Sequence, residues 1–318
     1  MRELRFPAIA SGKFIGYTII RDKFAPGGGI NVGLISQILE NPREMIMFLL
    51  LALPGRFLAI SIHEAAHGWV ADRCGDPTAR LMGRVTLNPV KHIDLMGTLM
   101  MVFVGIGWAK PVPVNPLNFR NYRKDDLKVS LAGITANLLL FLVCALILYG
   151  VAGAAIAQVP SVSSEWSAYA KGAERFLMEY EGEISYFWDD GSDYLYYMPM
   201  SGILANAAYM AEDIIVPAFG QTAGYAYQML GYCMVTNIML AIFNLIPLPP
   251  LDGYHVVNDL MLKKPLYASA KASAVASTVL YGLFFTGILD KALNIASDFV
   301  FNTVGSAAGW VYAIIGIL

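Results

Sequence analysis

Long apolar runs, not the alternation of strands or the striped pattern of soluble helices, dominate this chain. Four stretches, roughly residues 45–72, 127–158, 226–247 and 267–289, each supply the about 20 mostly apolar residues a helix needs to cross the hydrocarbon layer. A fifth, residues 95–108, is too short and glycine-rich to cross comfortably and is expected to be re-entrant or interfacial. A sixth, residues 292–318, can span or lie flat. The pattern predicts an all-α polytopic membrane protein, a bundle of about four to six transmembrane helices.

Composition agrees. Of 318 residues, 57% are hydrophobic and 14% charged, where soluble proteins carry about 25% charged residues, so the lipid bilayer is the expected solvent. A net charge of −2 gives no basic stripe, and nucleic acid is not an expected partner. Cys74, Cys144 and Cys233 are too widely spaced for a CxxC metal pair and too few for a disulfide framework.

Charge between the runs orients the chain. Nine basic residues from Arg73 to Lys128 mark that loop as cytoplasmic, since Lys and Arg accumulate on that side. Residues 158–222 carry ten acidic residues against Lys171 and Arg175 and are expected outside, and Lys263 and Lys264 fall inside again. Residues 1–44 then fall outside despite six basic residues, with no signal-peptide pattern and no assignable role. The expected organisation is this N-terminal segment followed by one membrane domain over 45–318, with 158–222 as an extracytoplasmic insertion whose dense aromatics suit an interfacial surface.

Inside the first run stands His63-Glu64-Ala65-Ala66-His67. Positions i and i+4 share a helix face, so both imidazoles can hold one zinc ion while Glu64 reaches its water as general base. Three ionisable groups in a membrane helix cost several kcal/mol and usually mark function. Two histidines leave a catalytic zinc short of a third protein ligand. Asp252 is the candidate, closing the run NLIPLPPLDG (residues 244–253), where three prolines unwind the helix and Gly253 permits a turn. An aspartate capping the next helix is the competing reading. His92 and His255 read as polar loop or supporting residues, and Gly133 with Asn137 as a packing face of the second run.

HEAAH followed by NLIPLPPLDG resembles the paired signature of the site-2 protease family of intramembrane zinc metalloproteases, HExxH and N-x-x-P-x-x-P-x-D-G. Asn244, Pro247, Pro250, Asp252 and Gly253 stand at matching places, with Pro249 as an added proline. The similarity covers roughly residues 45–155 and 226–262, and resembles the compact branch of the family without an evident PDZ or C-terminal regulatory domain. Where relatives often read HIDP and AGPxAN, this chain has His92-Ile93-Asp94-Leu95 and Ala132-Gly133-Ile134-Thr135-Ala136-Asn137.

The resemblance implies one zinc ion held by His63, His67 and Asp252, with Glu64 as base. It places Asn244 near the scissile bond, as a hydrogen-bond donor to the substrate or as a partner for unwound backbone. It further implies a multi-pass cell-membrane enzyme with a cytoplasm-facing site, hydrolysing membrane-spanning protein substrates. In KPVPVNP, residues 110–116, Val112, Val114 and Asn115 keep N–H groups able to pair with an extended substrate, making this a short cytoplasmic or re-entrant β-containing segment; a stiff connector is the alternative. The rival from another class is a non-catalytic metal-binding membrane scaffold, against which Glu64 argues, since a structural zinc site needs no base.

Overall fold

The computed structural model describes residues 42–103, 108–158, 175–180, 183–189, 195–199, 210–261 and 270–314. Residues 1–41, with most of the N-terminal segment, lie outside the described residues, as do Lys263 and Lys264.

Helices dominate. They are α1 (Pro42–Cys74), α2 (Thr78–Leu81), α3 (Leu95–Phe103), α4 (Tyr122–Ile156), α5 (Val216–Phe219), α6 (Gln221–Asn244), α7 (Asp252–Met261), α8 (Ala270–Phe285) and α9 (Ile288–Ile314). Among the described residues three stretches are long and apolar enough to cross a membrane: Ile46–Cys74, Tyr122–Ile156 and Gln221–Asn244. They coincide with the first three expected spans. The described residues of the fourth, 267–289, hold the 16-residue α8, about 24 Å at 1.5 Å per residue, and the first two residues of α9. α8 ends in a turn at Gly287, whose φ of 71° favours glycine, before α9 begins.

The outward surface of α4 shows why a bilayer suits the fold. Its buried face runs through Ser130, Ile134, Asn137, Phe141, Cys144 and Leu148, while Leu139, Leu142, Val143, Leu146 and Ile147 are exposed, Leu146 at 72%. Ser130 and Asn137 are buried among apolar side chains while a row of large apolar side chains faces outward, the surface lipid rewards.

Expected re-entrant residues 95–108 contain the nine-residue helix α3, its first turn capped by Asp94 Oδ1 accepting from Gly97 N at 2.8 Å. The expected β-containing segment, 110–116, holds no strand; an isolated antiparallel bridge pairs Ile93 with Ala109 just before it. Pro111, Pro113 and Pro116 explain this, because proline cannot donate to a ladder. Strands occur instead in the insertion: β1 (Arg175–Tyr180), β2 (Glu183–Asp189) and β3 (Leu195–Pro199) form an antiparallel sheet in the order β1-β2-β3. Phe176 lies opposite Phe187, and Trp188 opposite Tyr196, in register. Trp166, Tyr169 and Tyr194 of the same aromatic cluster lie outside the described residues.

The described residues within Ala25–Cys144 and Tyr232–Ser297 form one compact unit, and those within Ala145–Gly231 and Asp298–Leu318 another. Every residue of the expected metal site belongs to the first.

Candidate metal centre

α1 carries His63 and His67 one turn apart. Its helical run continues through Pro54, and Gly55 allows close packing, since a Cβ there would lie 2.8 Å from Cys233 Cα on α6. The third group arrives from a chain reversal. After Asn244 the helix unwinds through tight turns, Leu245 N to Ile242 O, Ile246 N to Phe243 O, Leu248 N to Ile246 O and Leu251 N to Leu248 O. The prolines dictate this by removing the donors a helix needs. A Cβ on Gly253 would sit 2.3 Å from Leu245 O, so only glycine lets α7 start against the reversal. Leu251 anchors the turn in a core with Leu280, Leu289 and Leu293. Asp252 is the first residue of α7, and its side chain turns to the histidines.

The three side chains converge. His63 Nε2 and His67 Nε2 are 3.0 Å apart, and Asp252 Oδ2 lies 3.2 Å from the first and 3.3 Å from the second. His63 and His67 are 7% and 9% exposed. The far side of each ring fixes its tautomer. Asn137 Nδ2 donates to Ala59 O at 3.2 Å and to Asn237 Oδ1 at 2.7 Å, which turns Asn137 Oδ1 toward His63 Nδ1 at 2.6 Å. His63 Nδ1 therefore donates and carries the proton. His67 Nδ1 likewise faces the Val129 carbonyl at 2.7 Å. Both Nε2 atoms then present bare lone pairs to one point, beside a carboxylate oxygen that is buried and accepts no hydrogen bond. Three electron-rich atoms in contact need a cation between them. A tetrahedral zinc with bonds of about 2.0–2.2 Å spaces its ligands roughly 3.3–3.5 Å apart, and three protein ligands with one open position is the catalytic pattern. The residues present fit the ion, and His63, His67 and Asp252 can hold a metal.

Gly133 completes the cradle. On α4, a Cβ at this position would approach His63 Cε1 and His67 Nε2 to 2.5 Å, so its hydrogen leaves the rings their room.

Glu64 is partly buried, and its Oε2 accepts from Val112 N at 2.7 Å. The backbone edge read from KPVPVNP is thus tied down. The Val112 N–H is spent on Glu64, the Asn115 N–H on Asp76 Oδ2 at 2.7 Å, and the Val114 side chain packs against the cluster of Ala71, Cys74, Phe119 and Val129. Two carboxylates take the N–H groups of Val112 and Asn115 that the sequence offered to a substrate. Asp76 is fully buried; burial works against its charge, but hydrogen bonds from Thr78, the Asn115 N–H and Asn118 hold the carboxyl below its ordinary range. Asn244 Nδ2 donates to Leu240 O of its own helix at 2.9 Å.

His92 bonds the Thr86 carbonyl through Nε2 at 2.8 Å, away from the convergence. His255, one turn past Asp252, faces Asp126 Oδ2 at 3.0 Å, which raises its pKa. Burial and hydrogen bonding with Asp126 push Asp259 up to about 6. The residues that sequence reasoning assigned to packing or passed over are Asn137, Asn237 and the Val129 carbonyl. An asparagine in the middle of an apolar helix was the available signal for the first two, because an unpaired amide there is costly.

The family model for peptidase family M50 matches residues 51–285, well over half the chain. The chain is 28% identical over 257 residues to YwhC of Bacillus subtilis (strain 168), named as a zinc metalloprotease, covering 79% of this chain and 86% of that protein. It is 24% identical over 272 residues to Rip2 of Mycolicibacterium smegmatis, also named as a zinc metalloprotease, covering 84% and 78%. No solved structure matches the chain. With a two-histidine, one-carboxylate convergence beside a glutamate, and with apolar helices of spanning length as befits these membrane proteins, the chain belongs to peptidase family M50, the site-2 protease family, and is a metalloprotease.

Proposed function

We propose that this protein is an intramembrane zinc endopeptidase that cuts membrane-spanning protein substrates within or beside the bilayer, in the manner of regulated intramembrane proteolysis. One observation carries the reading: His63 Nε2, His67 Nε2 and Asp252 Oδ2 meet at 3.0–3.3 Å, with the imidazole protons on the far side, next to Glu64. His63, His67 and Asp252 would hold a single ion, which when bound would supply a Lewis acid to polarise the peptide carbonyl and render water acidic. Glu64 takes the proton from the attacking water and delivers it to the leaving amine, so the bond cleaved gains one water in total. Asn244 stands at the start of the reversal that carries Asp252, with one amide hydrogen beyond its bond to Leu240 O to offer a substrate carbonyl.

A transmembrane helix hides its peptide bonds in its own hydrogen bonds, so the substrate unwinds locally before attack. Loop charges support a multi-pass protein of the cell membrane with the site toward the cytoplasm, and an extracytoplasmic insertion at 158–222 that screens substrates by the bulk of their outer domains. A metal-binding scaffold without catalysis is the competing reading; it leaves Glu64 without a task in chemistry.

Co-expression of wild type and Glu64→Gln with candidate single-span proteins, read by mass spectrometry of cut fragments, tests the proposal. The Gln variant is expected to retain zinc and fold but yield no fragments, a loss of at least about 100-fold, the lower end of general-base contributions. Undiminished cleavage by a zinc-loaded Glu64→Gln protein refutes the mechanism.

A further inference from the structure

We propose that the backbone amide of Val112 is a positioning group for the general base, holding Glu64 Oε2 so that the other carboxylate oxygen faces the reacting water. The inference rests on the catalytic role given to Glu64 above and assigns the strap 110–116 a task other than pairing with substrate.

The strap is built to keep this one N–H in place. Gly68 lies one helical turn beyond Glu64 on α1, and a Cβ there would lie 3.1 Å from Val112 Cγ1, so its absence seats the strap on the helix face that carries the base. Arg84, 8% exposed, donates from Nη2 to Lys110 O at 2.8 Å and to Pro111 O at 3.2 Å, gripping the two carbonyls that precede Val112. Lys110 N donates to His92 O at 2.8 Å. On the other side, buried Asp76 accepts from Asn115 N at 2.7 Å and Asn118 Nδ2 at 2.8 Å, and from the hydroxyl and N–H of Thr78 near the end of α1. Pro111 and Pro113 flank Val112 and fix φ on both sides. A buried guanidinium and a buried carboxylate are costly unless bonded; Arg84 spends Nη2 on the two carbonyls before Val112, with its Nε left without a partner, and Asp76 takes the Asn115 N–H three residues after it.

The bond they hold is a charge-assisted one at 2.7 Å between a peptide N–H and the base. A carboxylate on a flexible side chain samples several rotamers, and a misplacement of about 1 Å can cost roughly 100-fold in rate. With Oε2 fixed from the strap, the side chain cannot swing, and Oε1 is left for the proton transfer. The same bond explains why this N–H does not serve as a strand edge: pairing with substrate through Val112 would release the base at the moment it is needed.

The test replaces the amide at position 112 by an ester in the full-length protein, incorporating the hydroxy acid analogue of valine, which deletes the N–H and keeps the side chain. Val112→Pro serves as a genetic version between the existing prolines. Zinc content is measured alongside kcat and KM on a single-span substrate. The expected result is kcat lower by about 10–100-fold with KM within about twofold and zinc retained. A second readout needs no turnover: the segment 110–116 has amide hydrogens only at Lys110, Val112, Val114 and Asn115, so hydrogen exchange in a peptide covering it resolves a single site. Glu64→Ala is expected to speed exchange of one amide there, in metal-free and zinc-loaded protein alike. Unchanged kcat in the zinc-loaded ester protein, a raised KM with kcat preserved, or unaltered exchange in Glu64→Ala each overturns the proposal, the second because it returns the N–H to substrate binding. Should Val112→Pro lose zinc, the ester protein decides. Failure of the protease reading is separate: it shows as fragment production that does not depend on Glu64, whereas the exchange result stands or falls without any cleavage.

Discussion

Asn137 offers the sharpest test of the metal centre, because it touches no ion and yet is expected to govern its affinity. Asn137→Ala removes the acceptor 2.6 Å from His63 Nδ1 at a position with no exposure, so water cannot take its place. The donor left unpaired costs about 1–3 kcal/mol in such surroundings. The imidazole is also freed to tip or to shift its proton to Nε2, and changes to groups that orient a ligand histidine typically weaken metal binding by about 10–100-fold, or roughly 1.4–2.7 kcal/mol. The two routes agree in size. Competition against a chromophoric chelator at fixed pH, with metal content by mass spectrometry and thermal unfolding as a check on the fold, measures the effect. Asn237→Ala, which keeps the Asn137–His63 bond but deletes its 2.7 Å anchor, is expected to weaken zinc by less than tenfold. A folded Asn137→Ala protein that binds zinc within twofold of wild type refutes the tautomer argument on which the centre rests.

Gly133→Ala places a Cβ 2.5 Å from both imidazole rings; it is expected to displace them and abolish stoichiometric zinc, while retention of the metal shows that α4 can retreat. Gly253→Ala meets backbone, Leu245 O at 2.3 Å, and strain of about 1–3 kcal/mol is expected to lower the unfolding temperature, an effect absent if the reversal can relax. Asp259 titrates higher in the folded protein, near 6, than an ordinary carboxyl. Stability is then full below the ordinary carboxylate range and falls as pH rises through about 6, where the folded protein ionises. Asp259→Asn removes that fall, so its unfolding temperature relative to wild type is expected to be more favourable at pH 8 than at pH 4; a difference independent of pH contradicts it.

The three residues that converge as a possible metal site were legible because their chemistry is written locally. A spacing of four puts His63 and His67 on one face, and proline and glycine around Asp252 announce a break that only a buried polar site tolerates at membrane depth. What the sequence did not reveal is tertiary. Asn137 is 74 residues from His63 and reads as one more amide on a small-residue face; only the Asn237 and Ala59 acceptors that turn its amide make it a ring holder. Val112 read as a free donor because Glu64, 48 residues away, was assigned wholly to water. Apolar counting separated the runs 267–289 and 292–318 but set the break a few residues late, since hydropathy does not register the backbone reversal at Gly287 between α8 and α9. The strands at 175–199 lie in a segment read for its acidity and rings, although runs such as EISYFWD carry the aromatic and β-branched character of strands.

The polar groups of the centre form one connected network, and this is what lets it exist in apolar surroundings. From Cys233 O the bonds run to Asn237 Nδ2 at 2.8 Å, from Asn237 Oδ1 to Asn137, and from Asn137 to His63 and Ala59. They cross from α6 to α4 to α1, while His67 ties α1 to α4 a second time through Val129 O. Each donor of this network finds an acceptor, and three acceptors are left over at one point, where the two Nε2 lone pairs and the Asp252 oxygen face one another. A half-satisfied buried network is worse than an apolar core, so the point is relieved by a rearrangement of three helices, by a metal ion, or by a proton on one ring donating to Asp252. The first means breaking bonds at 2.6 and 2.7 Å on the far side of both rings. A metal ion needs the three atoms, now 3.0–3.3 Å apart, to part by only a few tenths of an ångström. The helix packing of this M50 peptidase therefore brings His63, His67 and Asp252 together where they can hold a metal, while the strap from Lys110 to Pro116 bonds Glu64, on the adjacent face of α1, through the Val112 N–H.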